Sequence, residues 1–273
     1  MKQIAEDNSV CVLLSCMNQN DCRSLLQDTN VQTSAVVVNQ TDNDSVEQFT
    51  FVNKKGEECN VRIINTTERG LSRSRNMAIK NATGDICLLC DDDERLEDDY
   101  CEKIQRAYQI HPKESVVVFT IERRDMDSPK IYPPNEQYVN FKQLLQTSSV
   151  QITFKKDFIV DANILFDIML GSGTGNGAGE EIKFLMDCKK AGVKIYYVPV
   201  SIGAVLSGNS TWFKGFTPEY MKNLGWSSRR SLGNVLGFAY ILIFGLRHKK
   251  QYSENMNAFK AYIYLLKGFF ENR

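Results

Sequence analysis

Short apolar runs alternate with helical patterns along most of the chain, and that alternation restricts the fold more than any other feature. VCVLLSC (10–16), SAVVVNQ (34–40), DICLLCD (85–91) and VVVFTIER (116–123) read as strands, and EECNVRIINT (57–66) holds another. Helical patterns fall between them. One runs through Leu25 and Leu26, one covers LSRSRNMAIKNATG (71–84) and stops at Gly84, and one spans Glu97 to about Gln109. QITFKK (151–156) is a further strand. Helical spacing from Glu180 through Ile182, Leu185, Met186 and Lys189 then stops at Gly192, and KIYYVPV forms the last strand. Such alternation predicts an α/β fold with a mostly parallel central sheet flanked by helices. Ligands in these sheets bind beyond the carboxyl ends of the strands. Asn18, Asn39, Gln40 and Asp91 to Asp93 all stand at such ends and are expected to meet at one rim.

The chain of 273 residues carries 33 basic and 33 acidic side chains. A formal charge of zero argues against a nucleic-acid binder held by bulk charge, although a local basic pocket for phosphates stays open. MKQIAEDNSV has no apolar signal core, which predicts a cytoplasmic protein. Cys87 and Cys90 form a CxxC, but no second ligand pair accompanies them, and His111 and His248 are the only histidines. Strand alternation also points these cysteines to opposite faces, so buried free thiols are expected. DMDSPKIYPPNEQY (125–138) holds three of the six prolines and reads as a loop or flap.

Three aspartates follow the apolar run that ends at Cys90. In an extended segment Asp91 and Asp93 point to one side and Asp92 to the other. Two convergent carboxylates suit Mg²⁺ or Mn²⁺, which would offset their mutual repulsion. The plainer alternative is an acidic helix start in water. Arg73 and Arg75 stand at the start of the preceding helix, a natural phosphate site, with solvated arginines on an amphipathic helix as the ordinary reading. Glu180 and Glu181 open a helix after a run of glycines. That suits a general base on a segment that orders around substrate, or simply acids favoured by the helix dipole.

ERGLSRSRNMAIKNATGDICLLCDDDE (68–94), VCVLLSCMNQ and GAGEEIKFLMDCKKAG together resemble the family 2 inverting glycosyltransferases, which have the Rossmann-like GT-A fold. The matching stretches span about residues 9 to 200. The resemblance implies metal-dependent transfer of a sugar, with inversion, from a nucleoside diphosphate donor to a hydroxyl of a glycan or lipid-linked acceptor, as in bacterial surface-polysaccharide synthesis. UDP is expected as the donor nucleotide ahead of GDP. Asp91 and Asp93 would hold Mn²⁺ or Mg²⁺ on the diphosphate, and Asp92 would lie near the ribose or sugar. Arg75 would support the nucleotide, with Arg73 the weaker partner, and Asn18 and Asn39 would line the donor side. Glu181 would be the catalytic base and Glu180 an acceptor contact. The chain departs from the pattern at three places. Asn39 and Gln40 replace an acidic pair after the second strand, and Glu181 replaces an aspartate. SIGAVLSGNSTW lacks a metal-reaching histidine; either Ser207, Asn209 or water takes its place, or metal affinity is low.

The expected domains are a catalytic unit over 1–215 and a helical extension over 216–273. LGNVLGFAYILIFGL (232–246) would span roughly 22 Å as a helix, short of the ~30 Å hydrocarbon core, so it is not expected to cross a bilayer. Phe259, Tyr262, Ile263, Leu266 and Phe270 share one face of the last helix. The two tail helices either pack on the domain or a partner, or lie on an anionic membrane through 229–270. Two other readings compete with a transferase: a nucleotidyltransferase, which lacks its glycine-rich basic loop here, and a catalytically silent nucleotide-sugar binding module.

Overall fold

Strand β1 (Val10–Met17) is buried along seven of its eight residues, as a run apolar on both faces requires. The computed structural model describes residues 8–123, 130–206 and 215–273. Helix α1 (Cys22–Asp28) follows, capped by Asp21, whose carboxylate accepts from the N–H groups of Arg23 and Ser24. Next come β2 (Ser34–Gln40), β3 (Ser45–Val52), β4 (Glu58–Thr66) and α2 (Leu71–Asn81). Then β5 (Ile86–Asp91), β6 (Glu94–Leu96), α3 (Tyr100–Ile110) and β7 (Val116–Arg123) lead to β8 (Gln137–Tyr138). Helix α4 (Phe141–Leu144), β9 (Ile152–Lys155), α5 (Lys156–Asp161), α6 (Glu180–Lys190) and β10 (Ile195–Val205) complete the α/β part. The tail is helical, with α7 (Pro218–Arg247), α8 (Lys249–Tyr252) and α9 (Ala258–Phe270).

The strands form one sheet in the order β3-β4-β2-β1-β5-β9-β7-β10-β6, with β8 added on β10. Two runs within it are parallel, β4-β2-β1-β5 and β7-β10. The sheet as a whole is mixed rather than mostly parallel, because β3, β9, β6 and β8 pair antiparallel with their neighbours. The largest departure is the β3–β4 hairpin. It turns at Asn53–Gly56, where Gly56 takes φ +83° and its N–H donates to the Asn53 carbonyl at 3.0 Å. Strand β3 escapes an apolar-run search because it is an edge strand, mostly exposed, with only Phe49 and Phe51 turned partly inward. The core on one sheet face gathers Val12, Leu14, Val37, Leu88 and Phe119 under Tyr100, Ile104 and Tyr108 of α3. All eight cysteines are free thiols, and Cys87 and Cys90 are buried.

The described residues group into two compact units. The first draws on residues 8–69, 73–123, 130–165 and 187–206 and contains the sheet. The second draws on residues 70–72, 166–186 and 215–273. Within it, α7 kinks at Gly233 (φ 80°, ψ −178°), and α9 packs on α7 through glycines. A Cβ on Gly225 would stand 2.0 Å from the Leu265 carbonyl oxygen, and one on Gly268 1.8 Å from that of Lys222. No helix among the described residues is long and apolar enough to cross a membrane.

Candidate active site

Register decides what meets at the rim of the sheet. Cys16 of β1 lies beside Asn39 of β2, Met17 beside Gln40, and Ser15 beside Asp91 of β5. Asn18 turns the chain with φ 52°, and its N–H donates to the Gln40 carbonyl at 2.9 Å. Asn39 is 2% exposed and uses every hydrogen-bonding position of its amide. Its oxygen accepts from the Gln19 N–H at 3.1 Å and from the Cys16 thiol, and its nitrogen donates to the Gln19 carbonyl and to Asn65 Oδ1, each at 2.9 Å. The residue therefore fastens the β1–α1 loop to the sheet. An aspartate there could not make the two donations.

The three aspartates do not form an extended strand. Strand β5 ends at Asp91, Asp92 and Asp93 make a turn, and β6 begins at Glu94, so strand alternation does not set where these carboxylates point. Arg75 of α2 is 1% exposed, and its Nη2 donates to both Asp91 carboxylate oxygens at 3.1 Å. Ser149, in a 3₁₀ turn over Ser149–Gln151, donates its hydroxyl to Asp91 Oδ2 at 2.9 Å. Asp91 is thus held from two sides. Arg73, two residues earlier, is exposed and pairs with Glu68 at 3.9 Å. Asp92 and Asp93 face water. Partial desolvation, then the charges of Asp91 and Asp93, raise the Asp92 carboxyl above its usual range, with a hydrogen bond from the Gln19 side chain opposing. Glu94 is 4% exposed and accepts from the Asp91 N–H at 2.9 Å. Burial, followed by Asp91 and Asp93, pushes its carboxyl well above the ordinary value.

A negative field that Arg75 does not cancel, built from hard carboxylate oxygens, fits a divalent cation. Among the described residues there is no ready-made group of three or more His, Cys, Asp or Glu ligands, so protein atoms alone do not complete a coordination shell.

The second unit holds the other predicted pair. The glycines before α6 are not slack. Gly171 (φ +94°) donates to the Gly177 carbonyl at 2.9 Å, Leu71 N–H donates to the Ser172 carbonyl at 2.9 Å, and Ser72 Oγ donates to that of Leu170 at 2.7 Å. Glycine is needed at 171 for φ and for space, since a Cβ would meet the Glu180 carboxyl carbon at 3.1 Å and Ser72 Oγ at 3.3 Å. Glu180 is 4% exposed and accepts from the Gly179 N–H at 2.9 Å, closing the loop onto the helix start. Glu181 beside it is half-buried. Together these contacts make the loop a collar around Glu180.

Sequence reasoning missed Ser149 and Glu94. Ser149 carries no signal, because a serine in an irregular stretch declares nothing until η-type turn geometry brings it to Asp91. Glu94 was visible as the fourth acid of the run, but its burial depends on the turn. Ser207 and Asn209, the named substitutes for a histidine, and residues 125–129 of the 125–138 loop lie outside the described residues.

The profile of glycosyl transferase family 2 matches residues 19–170, which is more than half of the chain. The fold is similar to that of S. aureus TarS 1–349, with a TM-score of 0.59 at 14% identity over 96% of this chain and 80% of that one. The same protein in complex with UDP-GlcNAc gives 0.60 at 15% identity over 90% and 73%. At such identity the likeness is one of fold. No curated protein sequence matches. The chain belongs to glycosyl transferase family 2 and has a GT-A-like fold with a helical C-terminal extension. As a member of that family it is a glycosyltransferase.

Proposed function

We propose that the chain transfers a sugar from a UDP-sugar to an acceptor hydroxyl with inversion at the anomeric carbon, in cell-surface polysaccharide synthesis inside the cell. The observation that carries this reading is the carboxylate turn: Asp91 clamped by a buried arginine and a serine, with Asp92 and Asp93 presented to water. Asp91 and Asp93 would hold Mn²⁺ or Mg²⁺, which when bound supplies positive charge to a leaving diphosphate. Arg75 orients Asp91 and adds a fixed charge on the donor side. Asn18 and Asn39 shape the loop against which the nucleotide base would rest, and Asp92 stands where ribose or sugar hydroxyls can donate to it. Arg73, being exposed, can swing to phosphate.

Glu181 takes the acceptor's proton as the oxygen forms its bond to the anomeric carbon. The bond from that carbon to the β-phosphate oxygen breaks, and its electron pair leaves with UDP. The half-burial of Glu181 supports the assignment, because a base must be reached by its acceptor. The buried Glu180 holds the collar and contacts the acceptor at most through its edge. TarS has been solved with UDP-GlcNAc, which makes that donor the first to try.

The test is calorimetric titration with UDP and GDP, with and without Mn²⁺, on the wild type and Asp93→Asn, followed by turnover of UDP-GlcNAc by the wild type and Glu181→Gln. Metal-dependent UDP binding weakened in Asp93→Asn, and turnover lost in Glu181→Gln with binding kept, are the expected results. Absence of nucleotide binding under every condition, or full turnover by Glu181→Gln, would overturn the reading.

A further inference from the structure

The second half of α7 is apolar on the side that packs and on the side that does not. Between Arg230 and Arg247 there is no Asp, Glu, Lys or Arg. Gly237, Ile241, Phe244 and Gly245 are buried. Yet Val235, Leu242, Ile243 and Leu246 stand in water, at 82%, 38%, 54% and 70% exposure. A helix apolar all round is ordinarily enclosed by protein or lipid. This one is too short and interrupted to cross a bilayer.

Helix α9 repeats the pattern. It packs through Ala261, Leu265, Gly268 and Phe269 and turns Phe259 and Phe270 outward at 76% and 67% exposure. The two exposed stripes are joined through ring contacts. Phe238 of α7 lies 5.5 Å from Phe269, which lies 5.3 Å from Phe270. The result is one apolar face on two adjacent helices, larger than scattered exposed side chains would make.

Charge identifies the occupant. The chain as a whole is neutral, but residues 229–270 carry seven Lys or Arg against one acid, Glu254. Arg247, Lys249, Lys250, Lys260 and Lys267 are exposed around the apolar stripes. An apolar ridge with a basic border, on helices unable to cross, matches the interface of a bilayer rich in anionic lipid. A second protein copy would bring the same basic border against its own.

We propose that α7 and α9 form a peripheral docking face that inserts its apolar stripes among the headgroups of an anionic membrane. The proposal rests on these helices alone and does not depend on the transferase reading, which nucleotide titration tests separately.

The experiment is vesicle flotation of the full chain with phosphatidylcholine alone or with about a third of it replaced by phosphatidylglycerol. The wild type should float with the anionic vesicles only, and less at high salt. Val235→Glu/Leu246→Glu and Lys249→Glu/Lys250→Glu, all at exposed positions, should melt as the wild type does and lose bound fraction by about tenfold or more. Failure of the wild type to float with anionic vesicles would overturn the proposal, as would undiminished flotation of Val235→Glu/Leu246→Glu. Light scattering gives a third outcome. A wild-type dimer that the Val235→Glu/Leu246→Glu pair returns to monomer, without vesicle binding, would assign the face to a second copy and refute the membrane.

Discussion

Arg75 and Asp91 form a pair in which one partner has 2% and the other 26% of its side chain exposed. Removing the guanidinium would leave a partly buried carboxylate among other acids, so Arg75→Ala should cost about 3–5 kcal/mol in a denaturant titration. Ser149→Ala should cost only about 1 kcal/mol, because water can replace a single neutral donor, yet it should weaken metal-dependent UDP binding by freeing one Asp91 oxygen. Equal stability loss in the two variants would show that Asp91 is not clamped as described. In the second unit, Arg230 meets Asp167 with two hydrogen bonds, at 2.6 and 2.8 Å. Burial raises the Asp167 carboxyl, but the Arg230 hydrogen bonds, the Met169 N–H and nearby positive charge outweigh it and hold its pKa below normal. A pKa lowered by folding stabilises above the unfolded value of about 4, and that contribution disappears as pH falls through the folded value. Asp167→Asn should therefore be less stable than the wild type at neutral pH by about 1 kcal/mol, since Arg230 is partly solvent-screened. The two proteins should converge near pH 2, as thermal melts across pH would reveal.

Elements add constraints that single residues do not carry. Gly268 and Gly225 let α9 approach α7 until backbone meets backbone, and an added methyl has nowhere to go. At the α7 kink the opposite holds, because a Cβ on Gly233 would find nothing within 4 Å, and only φ 80° resists substitution. Gly268→Ala should thus lower the melting temperature more than Gly233→Ala, whose cost is limited to about 1–3 kcal/mol of backbone strain. The long elements were legible because their periodicity reports burial directly. Strands β1, β2 and β5 and helix α2 fall within a residue or a few of where the apolar runs place them. Strands β6 and β8 have three and two residues, too short to show any period. Strand β3 is longer, but it is exposed, so its residues alternate weakly. Its NKKG turn was the available signal.

Across the whole molecule, a neutral total charge conceals two opposed local fields, an acidic turn at Asp91–Asp93 and a basic border in 229–270. UDP with Mn²⁺ should raise the melting temperature by ligand linkage. Chelation should abolish that rise without lowering the melting temperature of the ligand-free protein, since no described cluster of protein ligands holds a metal by itself. A fall in the ligand-free melt on chelation would point to a structural metal instead. By itself, the amino-acid sequence determined the alternation of strand and helix, the family, and the positions of Arg75, Asp91 and Glu181, because periodicity and motif spacing are local properties. Only tertiary structure decided that Asn39 fastens a loop, that Ser149 reaches Asp91 from 58 residues away, and that Glu94 and Glu180 are buried. It also decided that α9 packs through Ala261, Leu265, Gly268 and Phe269 and leaves Phe259 and Phe270 in water. Burial and hydrogen-bond partnership depend on which distant segments the fold brings together, and no stretch of sequence contains that on its own.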